Sequence, residues 1–120
     1  MEITALEPRR HRLVQLFLDG EPAVKLDEET AASLRPGQQL SDEELHELIA
    51  RSDAARAKEK ALYLLEHRPH SKRELEDKLA RTVGREAAGQ AAGRMEELGL
   101  IDDADYARRL AEELARKGFA

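Results

Sequence analysis

The sequence predicts a mainly α chain that opens on a small β-hairpin unit and continues into a three-helix unit and one further helix. Three observations carry that expectation. Asp19-Gly20 separates two short apolar runs, "RLVQLFL" and "EPAVKL", which is the strongest short-range hairpin signal. From residue 41 onward apolar residues recur at helical spacing, and Ser41 and Ser71 each stand three residues before a Glu, the mark of a capped helix start. Finally, 41% of the 120 residues are hydrophobic but only 3% are aromatic and none is Trp. The core is therefore aliphatic, built chiefly on Leu and Ala, which favours helix.

Taken in order, "EITAL" at residues 2–6 reads as a strand beside the hairpin. Pro22 cannot donate to a ladder, so the second hairpin strand is expected at a sheet edge. "DEETAASL" reads as a short helix that Arg35-Pro36-Gly37 ends. "SDEELHELIARSD" starts a helix with Ser41 as N-cap and Glu44 completing a capping box, and Leu45, Leu48 and Ile49 form its apolar face. "AARAKEKALYLLEH" puts Ala57, Ala61, Leu64 and Leu65 on one stripe, and Pro69 stops it.

Ser71 and Glu74 make a second capping box, with Leu75 and Leu79 as an inward pair and Gly84 as the terminator. The next helix, "EAAGQAAGRMEEL", is softened by Gly89 and Gly93, small residues that let helices approach closely. Gly99 suits a left-handed C-cap with Leu100 folding back, and Asp102 or Asp103 caps the helix that follows at once. In that last helix Tyr106, Ala107, Leu110, Ala111 and Leu114 form an inward stripe. With no following helix to cover it, part of this stripe is expected to be exposed or used in self-association. The expected division is 1–40, a β-hairpin unit with a short helix; 41–56, a connecting helix; 57–101, three helices; and 102–120, one more helix.

The bulk numbers narrow the function. Cysteine is absent, so no disulfide framework or thiolate metal site can form. No apolar run approaches the ~20 residues of a membrane span, and no signal-peptide core is present, so a cytoplasmic protein without membrane association is expected. A net charge of −5 argues against a generic, charge-driven nucleic-acid binder.

No catalytic constellation is expected, nor any metal or cofactor. Ser41 and Ser71 are used as caps, which leaves a Ser-His-Asp triad without a good nucleophile. Asp102, Asp103 and Asp105 lack the glycine and distal Glu of an EF-hand and read as helix caps. His67 and His70, without carboxylate or thiolate company, read as a solvent-facing pair. No glycine-rich phosphate loop occurs.

One stretch stands apart. "HRPHSKRELEDKLAR", residues 67–81, is basic inside an acidic chain. From Arg68 to Arg85, the cations Arg68, Lys72, Arg73, Lys78, Arg81 and Arg85 face only three anions. Lys72 and Arg73 fall in a first helical turn, where the dipole disfavours cations. Two readings remain open. Lys72–Glu76, Arg73–Asp77, Glu74–Lys78 and Asp77–Arg81 are i, i+4 neighbours and can make an ordinary salt-bridged surface. Alternatively, the six cations form a patch for an anionic partner.

The succession "KALYLLEHRPHSKRELEDKLA", a helix, then "LGLIDDADYARRL" resembles the RecX regulatory proteins of bacterial recombination. The matching pieces are Ala61-Leu62 ahead of Arg68-Pro69, Ser71 with Glu74-Leu75 and Lys78-Leu79, and Leu98-Gly99 before Asp102-Asp103 and Tyr106-Ala107. The "LDGEPAVKL" hairpin and "LRPGQQLSDEEL" resemble the N-terminal extension of some members. The resemblance implies that residues 57–101 are a three-helix repeat and that 102–120 is the first helix of a second, incomplete one. It implies a non-enzymatic modulator of the RecA recombinase, lying in the groove of the RecA filament on single-stranded DNA and contacting RecA or DNA through the six cations. It would act in DNA repair and the SOS response. A helix-turn-helix transcription regulator and a helical adaptor that binds no nucleic acid are the alternatives. Replacing Arg68, Lys72 and Arg73 with Glu is expected to abolish filament binding while barely changing stability.

Overall fold

The computed structural model describes residues 1–118, together with all their side chains except that of Asp105. Phe119 and Ala120 lie outside the described residues. The chain is mainly helical after an N-terminal sheet, and it divides into two compact units, residues 1–56 and 57–120.

In the first unit, β1 (Ile3–Arg9), β2 (Leu13–Leu18) and β3 (Glu21–Asp27) form an antiparallel sheet in the order β1-β2-β3. Asp19 (φ 51°) and Gly20 (φ 84°) make the two-residue turn between β2 and β3, both left-handed. That geometry matches the strand twist and explains the Asp-Gly pair. Pro22 sits on β3, which pairs only with β2, so its missing N–H costs no ladder bond. β1 runs on past the expected residue 6, because an edge strand also tolerates Pro8. The turn joining β1 to β2, Arg10–Arg12, holds His11 and Arg12 at φ near +60°. It carries no Gly or Asn, so nothing local announced it.

Central strand β2 buries Leu16 and Leu18 against Ile3, Leu26, Ala31, Leu34, Leu40 and Leu48. The short helix is one turn, α1 (Glu28–Ala31), not the eight residues expected; Asp27 caps it by accepting from the Thr30 N–H at 3.2 Å. The chain then turns so that Leu34 enters the core. The loop at 37–39 returns to β1, where the Ile3 N–H donates to the Gln38 carbonyl at 2.8 Å.

The largest departure is α2 (Asp42–His67), one helix of 26 residues where two were expected. Ser52-Asp53 looked like a boundary. Instead the buried Ser52 hydroxyl accepts from the Asp27 N–H at 2.9 Å, and no Gly or Pro interrupts the helix. At its start the capping box is complete: Ser41 Oγ accepts from the Glu44 N–H (3.1 Å) and the Ser41 N–H donates to Glu44 Oε1 (3.0 Å).

The second unit contains the end of α2, then α3 (Lys72–Val83), α4 (Arg85–Glu97) and α5 (Asp103–Arg116). Its core is Ala57, Ala61, Leu75, Leu79, Ala88, Ala91, Ala92, Met95 and Ile101. Alanines, not the two glycines of α4, carry the close packing. A methyl added at Gly93 would meet nothing within 4 Å, and one at Gly89 only an ordinary contact with Glu76. Gly84, at φ 85°, separates α3 from α4 with no further spacer. On α5, Leu110 and Leu114 are exposed and only Tyr106 is partly covered, so the stripe is not an inward face here.

Candidate functional site

α3 forms where it does because Ser71, extended at φ −71° and ψ 160°, accepts the Glu74 N–H on its hydroxyl at 3.1 Å. The reciprocal half of the expected capping box is not made. Glu74 Oε2 instead takes the Arg68 guanidinium at 2.8 Å, while its Oε1 is buried without a hydrogen-bond partner. Arg68 also donates to the Pro69 carbonyl at 3.0 Å, which fixes the turn into α3. The Arg68 guanidinium beside Glu74 holds that carboxyl below its usual range.

The two cations in the first turn now have a physical account in one case. The Lys72 N–H is capped by Asp103 Oδ1 at 2.9 Å, and its ammonium meets Glu96 Oε1 at 3.2 Å. The Lys72 charge is thus paired from α4 by Glu96, while Asp103, at the start of α5, caps α3 through the backbone N–H. Asp102 stands at the start of α5, its carbonyl accepting from the Tyr106 N–H at 2.8 Å. Arg73 is exposed and makes no direct ion pair among the described residues.

The i, i+4 ion pairs that one of the two readings allowed do not form among the described residues. Glu76 does not take Lys72, and Glu74 takes Arg68 rather than Lys78. Asp77 pairs across to Arg85 at 2.7 Å, and this hydrogen bond, with Arg73 and Arg81 nearby, lowers its pKa. Longer-range partners win because they satisfy the same carboxylates without competing within one helix turn. Arg81, like Arg73, is exposed and without a direct ion pair among the described residues.

His70 corrects the sequence reading most sharply. His67 is exposed, but His70 is buried, with 3% of its surface accessible. Its Nδ1 lies 2.9 Å from the Arg68 carbonyl, which can only accept, so Nδ1 carries the proton. Nε2, 2.9 Å from Lys78 Nζ, then accepts from the ammonium. Burial, with Lys78 and Arg68 close by, pushes the His70 pKa down against the opposing pull of the carbonyl and Glu74. The neutral ring holds Lys78 in place.

A titration test follows. The folded His70 pKa lies below its usual 6.5, so the unfolded chain binds that proton more readily. This contribution is full above pH 6.5 and declines as pH falls through that value towards the folded pKa. Urea denaturation at about pH 7.5 and 5.5 should show stability lost on acidification, with a flatter slope for His70→Gln. Equal slopes in both proteins would contradict the assignment.

The six sequence-selected cations are therefore brought to one helix and its ends but fall into two groups. Arg68, Lys72 and Arg85 are tied to the molecule's own carboxylates; Arg73, Lys78 and Arg81 line an open depression of about 410 Å³ with Ser71, Glu74 and Asp77. Replacing Arg68 and Lys72 with Glu would set like charges against Glu74 and Glu96, so that triple change is expected to cost some stability as well as affinity. Among the described residues no cluster of His, Asp and Glu could hold a metal ion, and no helix is long and apolar enough to cross a membrane.

The family model described as the first three-helix domain of RecX matches residues 57–94, from the end of α2 through most of α4. A regulatory protein RecX of Lactobacillus delbrueckii subsp. bulgaricus is 34% identical over 83% of this chain and 38% of its own length. One from Lacticaseibacillus paracasei is 29% identical over 98% of the chain and 50% of its own. One from Caldanaerobacter subterraneus subsp. tengcongensis is 30% identical over 82% and 51%. The chain thus spans about 38–51% of the length of these relatives. A crystal structure of regulatory protein RecX shares the fold at TM-score 0.59 and 20% identity, over 94% of this chain and 58% of that one.

Proposed function

Because the chain belongs to the RecX family of regulatory proteins, we propose that it is a non-enzymatic cytoplasmic regulator that docks on the RecA filament assembled on single-stranded DNA. In doing so it would restrain strand exchange, co-protease action and ATP hydrolysis, and so act in DNA repair and the SOS response. The observation that carries this reading is the outer face of α3. In a chain of net charge −5, Arg73 and Arg81 stand exposed on one helix with Lys78 between them. Eight residues of helix separate the two arginines by about 12 Å. A filament groove offers phosphates and acidic side chains, and guanidinium groups suit either.

The surrounding acidity has a use in this scheme. It limits the sequence-independent, salt-dependent attraction to bare nucleic acid, which scales with the phosphates neutralised. The depression on α3 is open and polar, which suits a charged macromolecular surface rather than burial of a small apolar ligand. As a recognition helix α3 is only partly equipped: it carries Arg and Lys for guanine edges but no Asn or Gln for adenine.

Co-sedimentation with preformed RecA filaments tests the reading. The chain should pellet with filaments, and raising salt from about 50 to 200 mM should release it. A chain left wholly in the supernatant at low salt would overturn the proposal. Self-association through Leu110 and Leu114 of α5 belongs to the same reading; sedimentation of the chain alone would reveal it as a concentration-dependent mass.

A further inference from the structure

Outside the α3 face, one exposed feature is not explained by packing. Of the described Phe and Tyr residues, Tyr63 alone is exposed, with 58% of its surface accessible. His67, one helical turn on, is exposed too, and the two ring centroids lie 4.1 Å apart at an interplanar angle of 40°. The pair is held in place. His67 Nδ1 donates to the Tyr63 carbonyl at 2.7 Å, which fixes the imidazole on its own helix.

Its position relative to α3 is set by two contacts. Lys60 Nζ donates to Thr82 Oγ1 at 2.6 Å, and Arg68 donates to Glu74 at 2.8 Å. These tie Lys60 of α2 and Arg68, just past its end, to the two ends of α3, and Tyr63 and His67 fall between them in the sequence. The aromatic pair therefore stands on the last turns of α2, between the two points that are tied to the helix bearing Arg73, Lys78 and Arg81.

We propose that Tyr63 and His67 form a base-stacking pair for single-stranded nucleic acid, with the strand's phosphates met by the cations of α3. This rests on the reading of that face as an anion-docking surface and names its partner. The chemistry is that of sequence-tolerant single-strand recognition, in which cations follow the backbone and exposed rings receive the bases. An unpaired base offers two π-faces; a duplex offers none, so the pair selects single strands. An acidic protein surface would use the cations alone and leave the rings idle.

The test compares an oligo-dT strand of about 20 nucleotides with an abasic strand of equal length, by anisotropy at low salt. Both carry the same phosphates. The wild-type chain should bind oligo-dT at least about tenfold more tightly than the abasic strand. Tyr63→Ala should erase that preference without weakening abasic binding, and Tyr63→Phe should retain it. Equal binding of the two strands by the wild type, binding of neither, or an undiminished preference in Tyr63→Ala would each overturn the stacking role. The underlying reading fails separately: folded Arg73→Glu/Arg81→Glu should lose affinity for both strands alike, and normal binding by that variant would remove the cations of α3 whatever Tyr63 does.

Discussion

Replacing Arg73 and Arg81 together with Glu is expected to weaken binding to RecA filaments at least a hundredfold and to leave the fold intact. Each charge-assisted hydrogen bond lost is worth about 1.5–3 kcal/mol, so two lost together exceed a factor of about 100. Both side chains are exposed and neither makes a direct ion pair among the described residues, so no internal partner is stranded. A glutamate in place of Arg73, in the first turn of α3, would complement the dipole by ~0.3–1 kcal/mol. Against this, a glutamate at either position faces Asp77 at i, i+4 spacing, costing about 0.2–0.5 kcal/mol each. The balance is small beside the binding effect. Circular dichroism checks the fold, and filament co-sedimentation reads the affinity.

The largest effect on stability is expected at Leu79. Leu79 and Leu75 are fully buried in a core otherwise made mostly of alanines, with Met95 and Ile101 the other large side chains. Few methylenes therefore hold the second unit together, and an alanine-rich surround collapses poorly around a new cavity. Leu79→Ala should cost about 2–5 kcal/mol, a large share of the roughly 5–15 kcal/mol typical of a domain. Urea denaturation measures it. A loss below about 1 kcal/mol would show that α3 is not the element around which α2 and α4 pack.

How much of this was legible in the sequence depends on the range of the interaction. The Asp19-Gly20 hairpin and the Ser41–Glu44 box are complete within a few residues, and both stand in the structure where the sequence placed them. Leu75 and Leu79 were likewise legible, because helical spacing alone fixes which face they share. The Ser71–Glu74 box came out half formed because a residue outside the motif, Arg68, competes for the same carboxylate.

What was not legible is mostly long-range. Lys72 finds Glu96 and Asp103, which lie 24 and 31 positions away, so pairing rules confined to one helix could not reach them. His70 lies in a loop, where no periodicity marks a buried position, and both of its ring nitrogens are hydrogen-bonded where it is buried, to the Arg68 carbonyl and to Lys78. The continuity of α2 turned on Ser52, whose hydroxyl is used by Asp27, 25 positions earlier. The aromatic pair did have a local signal, Tyr63 and His67 four residues apart and both off the Ala57, Ala61, Leu64 and Leu65 stripe, but only the structure shows the two rings side by side and exposed.

The central claim is that the outer face of α3 restrains the RecA filament, and the DNA-dependent ATP hydrolysis of RecA reports on it most directly. With filaments preformed on single-stranded DNA, the wild-type chain should lower the hydrolysis rate in a dose-dependent and salt-sensitive way. The folded Arg73→Glu/Arg81→Glu variant should leave it unchanged. Equal inhibition by both proteins, or none by the wild type at concentrations that saturate the filament, would contradict the account.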